Sequence, residues 1–253
     1  MKTAVTTAVW AVALAGLMAA GPREARQPQK QPEPEKLPEY PKLNKENKLT
    51  ALNPENTIFA EVANGKVVRI GLVTEVCLRE GPLEVFLCKK GTKEHEAIVR
   101  VDADARIIHA ALEAANAIKG TPTQFVDPKT EQPKYKPATG SRINVLVHYT
   151  RDGKTYTHPA QEWIWDHKQK MAIPHGWVFA GSLLIEDPDT GKKYYAANSG
   201  DIISISNFPY SMLEMPVEIS KDDAQLTYEV KTERVPPLMS KVWVILEPVA
   251  DKK

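Results

Sequence analysis

Cys77 and Cys88 are the only cysteines of the chain, and they share one short stretch, TEVCLREGPLEVFLCKKGTKEHEAIVRV (residues 74–101), with His95 and Glu96. Two thiols can close a disulfide, and two thiolates with an imidazole can hold a transition metal ion. Glu96 would then orient a ligand or move a proton. Gly81-Pro82 and Gly91 are turn signals, so the stretch reads as a three-stranded meander. In its simplest register Cys77, Cys88 and His95 form one row, with neighbouring Cβ atoms roughly 4.5 to 5.5 Å apart. A slip of one residue would dissolve the row. Three readings stand: a disulfide with a bystander histidine, a Cys-Cys-His metal site, or a coincidence of register.

The second group of interest is HPAQEWIWDHKQKMAIPHGWVFAGS (residues 158–182). Extended backbone would place Trp163, Trp165 and His167 on one face and Glu162, Ile164 and Asp166 on the other. An aromatic wall of Trp163, Trp165 and Trp177 beside His175 offers stacking surfaces with polar edges, suited to a sugar ring or another flat ligand. The competing reading is that these rings are core. His158, His167 and His175 lack the tight spacing of metal ligands. His109 and Glu113, four apart on a helix, could hold a metal or lie on a solvated polar face. Asp187-Pro188-Asp189-Thr190-Gly191 has only the first Asp pair of a calcium loop and reads as a tight turn. His95-Glu96 opens like a zinc-protease helix, but residue 99 is Val in a strand-like run. No nucleophile elbow, phosphate loop or dinucleotide fingerprint is present. The expectation is therefore a ligand-binding or protein-interaction module of the cell envelope, without a recognisable catalytic motif and without a cofactor, the alternative being a metal-binding or redox protein with one transition metal ion on Cys77, Cys88 and His95.

Most of what must position these residues is strand. Segments 66–72, 75–79, 83–88, 96–101, 142–150, 154–157, 177–184, 201–206, 225–231 and 241–246 are rich in Val, Ile, Thr and aromatics, and several alternate apolar with polar residues. Asp152-Gly153 between two such runs is a strong hairpin signal. One helix is expected over about residues 104–118, capped by Asp102 or Asp104 and ended by Gly120. Ile107, Ile108, Ala111, Leu112, Ala115 and Ile118 form its apolar stripe. The loop from Thr121 to Gly140, rich in proline, reads as a cover or a mobile connection. The fold class that follows is β-rich α+β, a twisted antiparallel sheet or sandwich packed by one main helix.

Lys2, the apolar run Ala4–Ala20 and the small-residue exit MAAG have the three parts of a secretory signal peptide over residues 1–20. An uncleaved anchor is the rival reading, although the run is short for a membrane span. No cysteine lies at the exit, so the protein is not expected to be a lipoprotein. Residues 21–47, with six prolines and few apolar groups, read as a disordered tether. Residues 48–253 are then one globular domain. A formal net charge of +1 gives no electrostatic case for nucleic acid. The mature chain is expected to be soluble, periplasmic or extracellular, without integral membrane insertion, and to meet an envelope component or a small ligand. Two cysteines in an oxidising compartment favour a disulfide, which over so short a loop would contribute roughly 2 to 3 kcal/mol.

The order CLREGPLEVFLCKKGTKEHEAIV, IIHAALEAA, TGSRINVLVHY, EWIWD, GWVFAGS and SGDIISIS resembles the YdjY-type domain of exported bacterial proteins, over most of residues 65–248. The resemblance implies no catalytic residues. Some members carry a ferredoxin-like label, but two cysteines without a C-x-x-C run cannot supply the four thiolates of an iron–sulfur cluster.

Overall fold

The computed structural model describes residues 33–126, 133–219 and 228–249. The stretch read as a signal peptide lies outside them. Chain order gives β1 (Lys48–Ala51), β2 (Ile58–Ala63), β3 (Lys66–Val76), β4 (Val85–Lys89), β5 (Ala97–Val101) and α1 (Ala105–Ala114). A hairpin of β6 (Gln124–Val126) and β7 (Pro133–Lys136) follows, then β8 (Arg142–Arg151), β9 (Lys154–Pro159), β10 (Ile164–Asp166), β11 (Met171–Ala172) and β12 (Trp177–Phe179). The remainder is β13 (Leu184–Glu186), β14 (Lys193–Tyr195), β15 (Ile203–Ser204), β16 (Leu213–Glu214), β17 (Tyr228–Val230) and β18 (Lys241–Pro248).

The protein is β-rich with one α-helix among the described residues, as its patterning implies, but the main sheet is neither open nor a sandwich. Eight strands close in the order β3-β18-β8-β12-β16-β15-β4-β5 and back to β3. The barrel is mixed, because β15 runs parallel to β16 and β4 parallel to β5. Closure is possible because β3 and β8 are long enough to fork. The first part of β3 pairs with β2, while Glu75 and Val76 pair with β5 on the same edge. β8 likewise pairs with β9 over Leu146–Arg151 and with β12 at Arg142 and Ile143. Asp152 and Gly153 both have positive φ in the turn from β8 to β9, the hairpin their sequence predicts.

The interior is filled by inward residues of the wall. Phe86, Trp163, Trp177, Tyr149, Phe179, Ile98 and Leu213 belong to one continuous buried cluster. Helix α1 packs against β2 and β3 and adds Ile108, Ala111 and Leu112. It starts at Asp104, whose carboxylate accepts the Arg106 N–H. It ends earlier than its apolar stripe suggests. Asn116 takes φ +61°, Ala117 N–H bonds Leu112 O, and Asn116 N–H bonds Glu113 O. These are the two bonds of a Schellman stop. Ile118 is consequently exposed rather than part of the stripe.

Part of the segment read as a tether is ordered. Residues 35–47 run as a strap over the outer faces of β2, β3, β18 and β8. Glu35 O accepts Lys241 N–H at 3.0 Å and Pro38 O accepts the Trp243 indole N–H at 2.9 Å. Tyr40 is buried in a small cluster with Trp243 and Ile245, distinct from the barrel core. Four apolar or aromatic groups in this segment looked too few to offset ordering, but one of them, Tyr40, finds a ready-made pocket.

Candidate functional site

The strand order decides the fate of the cysteine row. β5 inserts between β3 and β4, so the expected meander does not form. Cys77, just past the end of β3, donates its N–H to Ile98 O at 2.9 Å, and Cys88 on β4 stands opposite Arg100. Strands flanking a third lie about 9 to 10 Å apart. A disulfide spans Cα atoms only about 4.4 to 6.8 Å apart. Both cysteines are free thiols, and Cys77 Sγ bonds Ala97 O at 3.1 Å. The neighbouring Cys88 thiol, reinforced by burial, raises the pKa of Cys77 and keeps it protonated.

His95 does not join the row. It sits in the turn before β5, its side chain is 77 % exposed, and Nε2 is 3.7 Å from Glu96 Oε2. Among the described residues no group of three or more His, Cys, Asp and Glu side chains is arranged to hold a metal ion. The proposed Cys77, Cys88, His95 ligand set is therefore not assembled. Cys77 is half-buried and Cys88 fully buried. Maleimide labelling of the native protein should be slow at both thiols, Cys77 because it is half-buried and held protonated and Cys88 because it is buried, with two adducts forming rapidly only in denaturant. Two rapid adducts on the native chain, read by intact mass, would contradict this packing.

The aromatic group divides in two. Residues Ala160–Trp163 form a 3-10 turn, which breaks the extended geometry that would have put Trp163 and Trp165 on one face. Trp163 turns into the core beside Tyr149 and Phe86. Trp177 is also core, its indole N–H bonded to Ser204 O at 2.8 Å. Neither ring is a surface. His175 is half-buried in the segment before β12, where its carbonyl accepts Gln161 Nε2 at 3.2 Å. Within β10, alternation buries Ile164 and Asp166 and turns Trp165 outward.

Trp165 lines an open groove with His167, Glu229, Val230, Lys231 and Glu233. β17 pairs with β10, which brings Glu229 opposite Trp165. His167 Nε2 is 2.8 Å from Glu229 Oε2. The Lys231 ammonium lies 4.0 Å from the centre of the Trp165 ring, and 3.7 Å from Glu233. An indole face occupied by a cation and rimmed by two carboxylates and an imidazole can stack on a ring while hydrogen-bonding its substituents.

Two histidines are built into the fold, one of them His109, which with Glu113 reads in the sequence as a metal pair or a solvated polar face. His109 was one of the polar-face residues of α1, but its Nδ1 meets Tyr195 Oη at 2.7 Å, and Tyr195 Oη donates to Gly181 O at 2.9 Å. His148 Nδ1 meets Thr157 Oγ1 at 2.7 Å and its Nε2 meets Glu39 O of the strap at 2.9 Å. Burial holds both imidazoles below their ordinary range. A depressed imidazole stabilises the fold fully above its unfolded pKa of about 6.5 and loses that contribution as acid protonates the unfolded chain first. Thermal stability should therefore fall as pH is lowered from about 7 to 5. The same descent in a His109→Gln, His148→Gln variant would assign the loss to other groups.

Asp187 forms the tight turn its sequence suggests, accepting the N–H groups of Asp189 and Thr190 at 3.0 and 2.8 Å. Among the described residues no helix is long and apolar enough to cross a membrane. Compared with known proteins, residues 58–247 match the family model described as the YdjY domain. No curated protein and no solved structure matches the chain.

Proposed function

We propose that this chain, which belongs to the YdjY domain family, is an exported binding module of the cell envelope whose ligand face is the groove around Trp165. The observation that carries the reading is the half-buried indole under the Lys231 ammonium, with the His167–Glu229 pair at its rim. A polar ligand bearing a flat or ring-shaped apolar face, such as a sugar, meets both demands of that surface: stacking on the indole and hydrogen bonds to Glu229, Glu233 and His167. Lys231 would swing aside or bond the ligand. The export part of the proposal is supported by the charge and apolar patterning of residues 1–20.

Oligosaccharides titrated against the protein should quench tryptophan fluorescence saturably, and Trp165→Ala should reduce affinity at least tenfold with an unchanged melting profile. A glycan that binds Trp165→Ala as well as the parent would sink the assignment of the groove, and failure of neutral and acidic glycans alike would sink the ligand class. N-terminal sequencing of protein recovered from the cell envelope tests export separately. It should begin at Gly21, and an intact Met1 in the cytoplasmic fraction would contradict the proposal.

A further inference from the structure

The strap is held by the barrel in the way an aromatic-lined groove holds a proline-rich peptide. Its main-chain carbonyls do most of the bonding. Pro38 O accepts from Trp243 Nε1, Glu39 O from His148 Nε2 and Pro41 O from Arg69 Nη2, at 2.9, 2.9 and 2.6 Å. The donors project from β18, β8 and β3, so they are fixed by the wall rather than by the strap. Prolines at 38 and 41 bring no N–H that would need a partner, and a chain already extended loses little entropy on docking.

One side chain anchors the segment. Tyr40 stands edge-on to Trp243 with centroids 5.0 Å apart, and lies over Gly71, where a Cβ would come within 2.5 Å of the ring. Leu37, Phe59 and Leu146 pack around the same cluster. The strap leads into β1 through a turn closed by Asn47 N–H on Asn44 O. Leu43 N–H and Asn47 Nδ2 both bond Glu61 Oε1, at 2.7 and 2.6 Å, and latch that turn to β2.

The donors and the Tyr40 pocket all belong to the barrel, so the groove does not distinguish its own strap from the identical strap of another molecule. We propose that this face is a binding groove for an extended segment of the pattern Leu-Pro-x-Tyr-Pro (residues 37–41 here), and that it takes the strap of a second copy of this chain in place of its own. The site is separate from the Trp165 groove, and its test does not depend on any glycan.

Two variants separate donor from acceptor. Tyr40→Ala removes the anchor and leaves the groove open, whereas Gly71→Ala fills the anchor pocket and leaves the strap free. Mixed in equal amounts, the full-length variants should form a species of twice the chain mass by light scattering that neither forms alone. A mixture that stays at the mass of the separate variants, with both folded by circular dichroism, would overturn the proposal. Should Gly71→Ala fail to fold, a fluorescein-labelled peptide of residues 33–47 replaces it. Its affinity should be at least tenfold higher for Tyr40→Ala than for the parent chain and be lost when its own tyrosine is replaced by alanine. Equal binding to both proteins, or binding that survives loss of that tyrosine, overturns it.

Discussion

Gly140→Ala should lower the melting temperature by about 10 °C, the largest effect expected of any single methyl group in this protein. Gly140 has φ +126°, and a Cβ there would lie 2.1 Å from Phe179 O. Three backbone segments meet at this point. Gly120 N–H bonds Phe179 O, Phe179 N–H bonds Ser141 O, and Ser141 N–H bonds Ile118 O, each at 2.9 Å. Lys119 and Gly140 form an isolated bridge between them. Backbone strain of about 1 to 3 kcal/mol combines with a clash against main chain that cannot yield, for a total near 4 kcal/mol. For a domain of this size each kcal/mol moves the transition by about 2 to 4 °C. Gly153 provides the control. Its φ is also positive, but nothing lies within 4 Å of its would-be Cβ, so Gly153→Ala should cost only about 1 kcal/mol. Equal melts for the two variants would show that the three-segment junction gives way.

Arg69→Ala should cost about 3 to 5 kcal/mol in urea denaturation, because it strands a buried carboxylate. Glu61 is fully buried and its Oε2 lies 2.9 Å from Arg69 Nη2, whose side chain is 6 % exposed. The surviving donors, Leu43 N–H and Asn47 Nδ2, both address Oε1, which leaves Oε2 without its partner. The paired replacement Arg69→Met, Glu61→Leu should recover most of the loss, since removing both charges removes the desolvation cost as well. A loss below about 1 kcal/mol for Arg69→Ala would mean that water reaches the pair, as it does for surface ion pairs.

Local structure was legible where a single residue type carries a conformational demand. Asp152-Gly153 named its hairpin, and Asp104 named the helix start. The strands of the wall stood out because β-branched and aromatic runs are bounded by turn residues. Legibility stopped where geometry is non-local. Nothing between Glu75 and Val101 announces that β5 will insert between β3 and β4, because parallel pairing leaves no turn to mark it, and so the cysteine row was lost. The aromatic wall failed through one 3-10 turn at residues 160–163, too short to carry a periodicity of its own. β1, β2 and the strap were missed for opposite reasons. The first two have mixed patterns suited to an extension outside the barrel, and the strap's composition is that of an unfolded chain until a pocket for Tyr40 exists. Trp165 faces outward between two buried neighbours, as alternation along a strand implies, but the residues beside it, Glu229, Lys231 and Glu233, come from a segment distant in sequence.

The position of β18 between β3 and β8 bears on how the protein is made. Two of the longest strands of the wall share no hydrogen bonds with each other, and the strand that joins them leaves the ribosome after every other described strand. Until then a nascent chain carries two long unsatisfied edges, and hairpins such as β8–β9 are the only sheet contacts that can mature locally. Contacts of such sequence separation fold slowly. Exposed edges also invite pairing with other chains. Products truncated before residue 241 would keep both of those edges open and should be prone to aggregate.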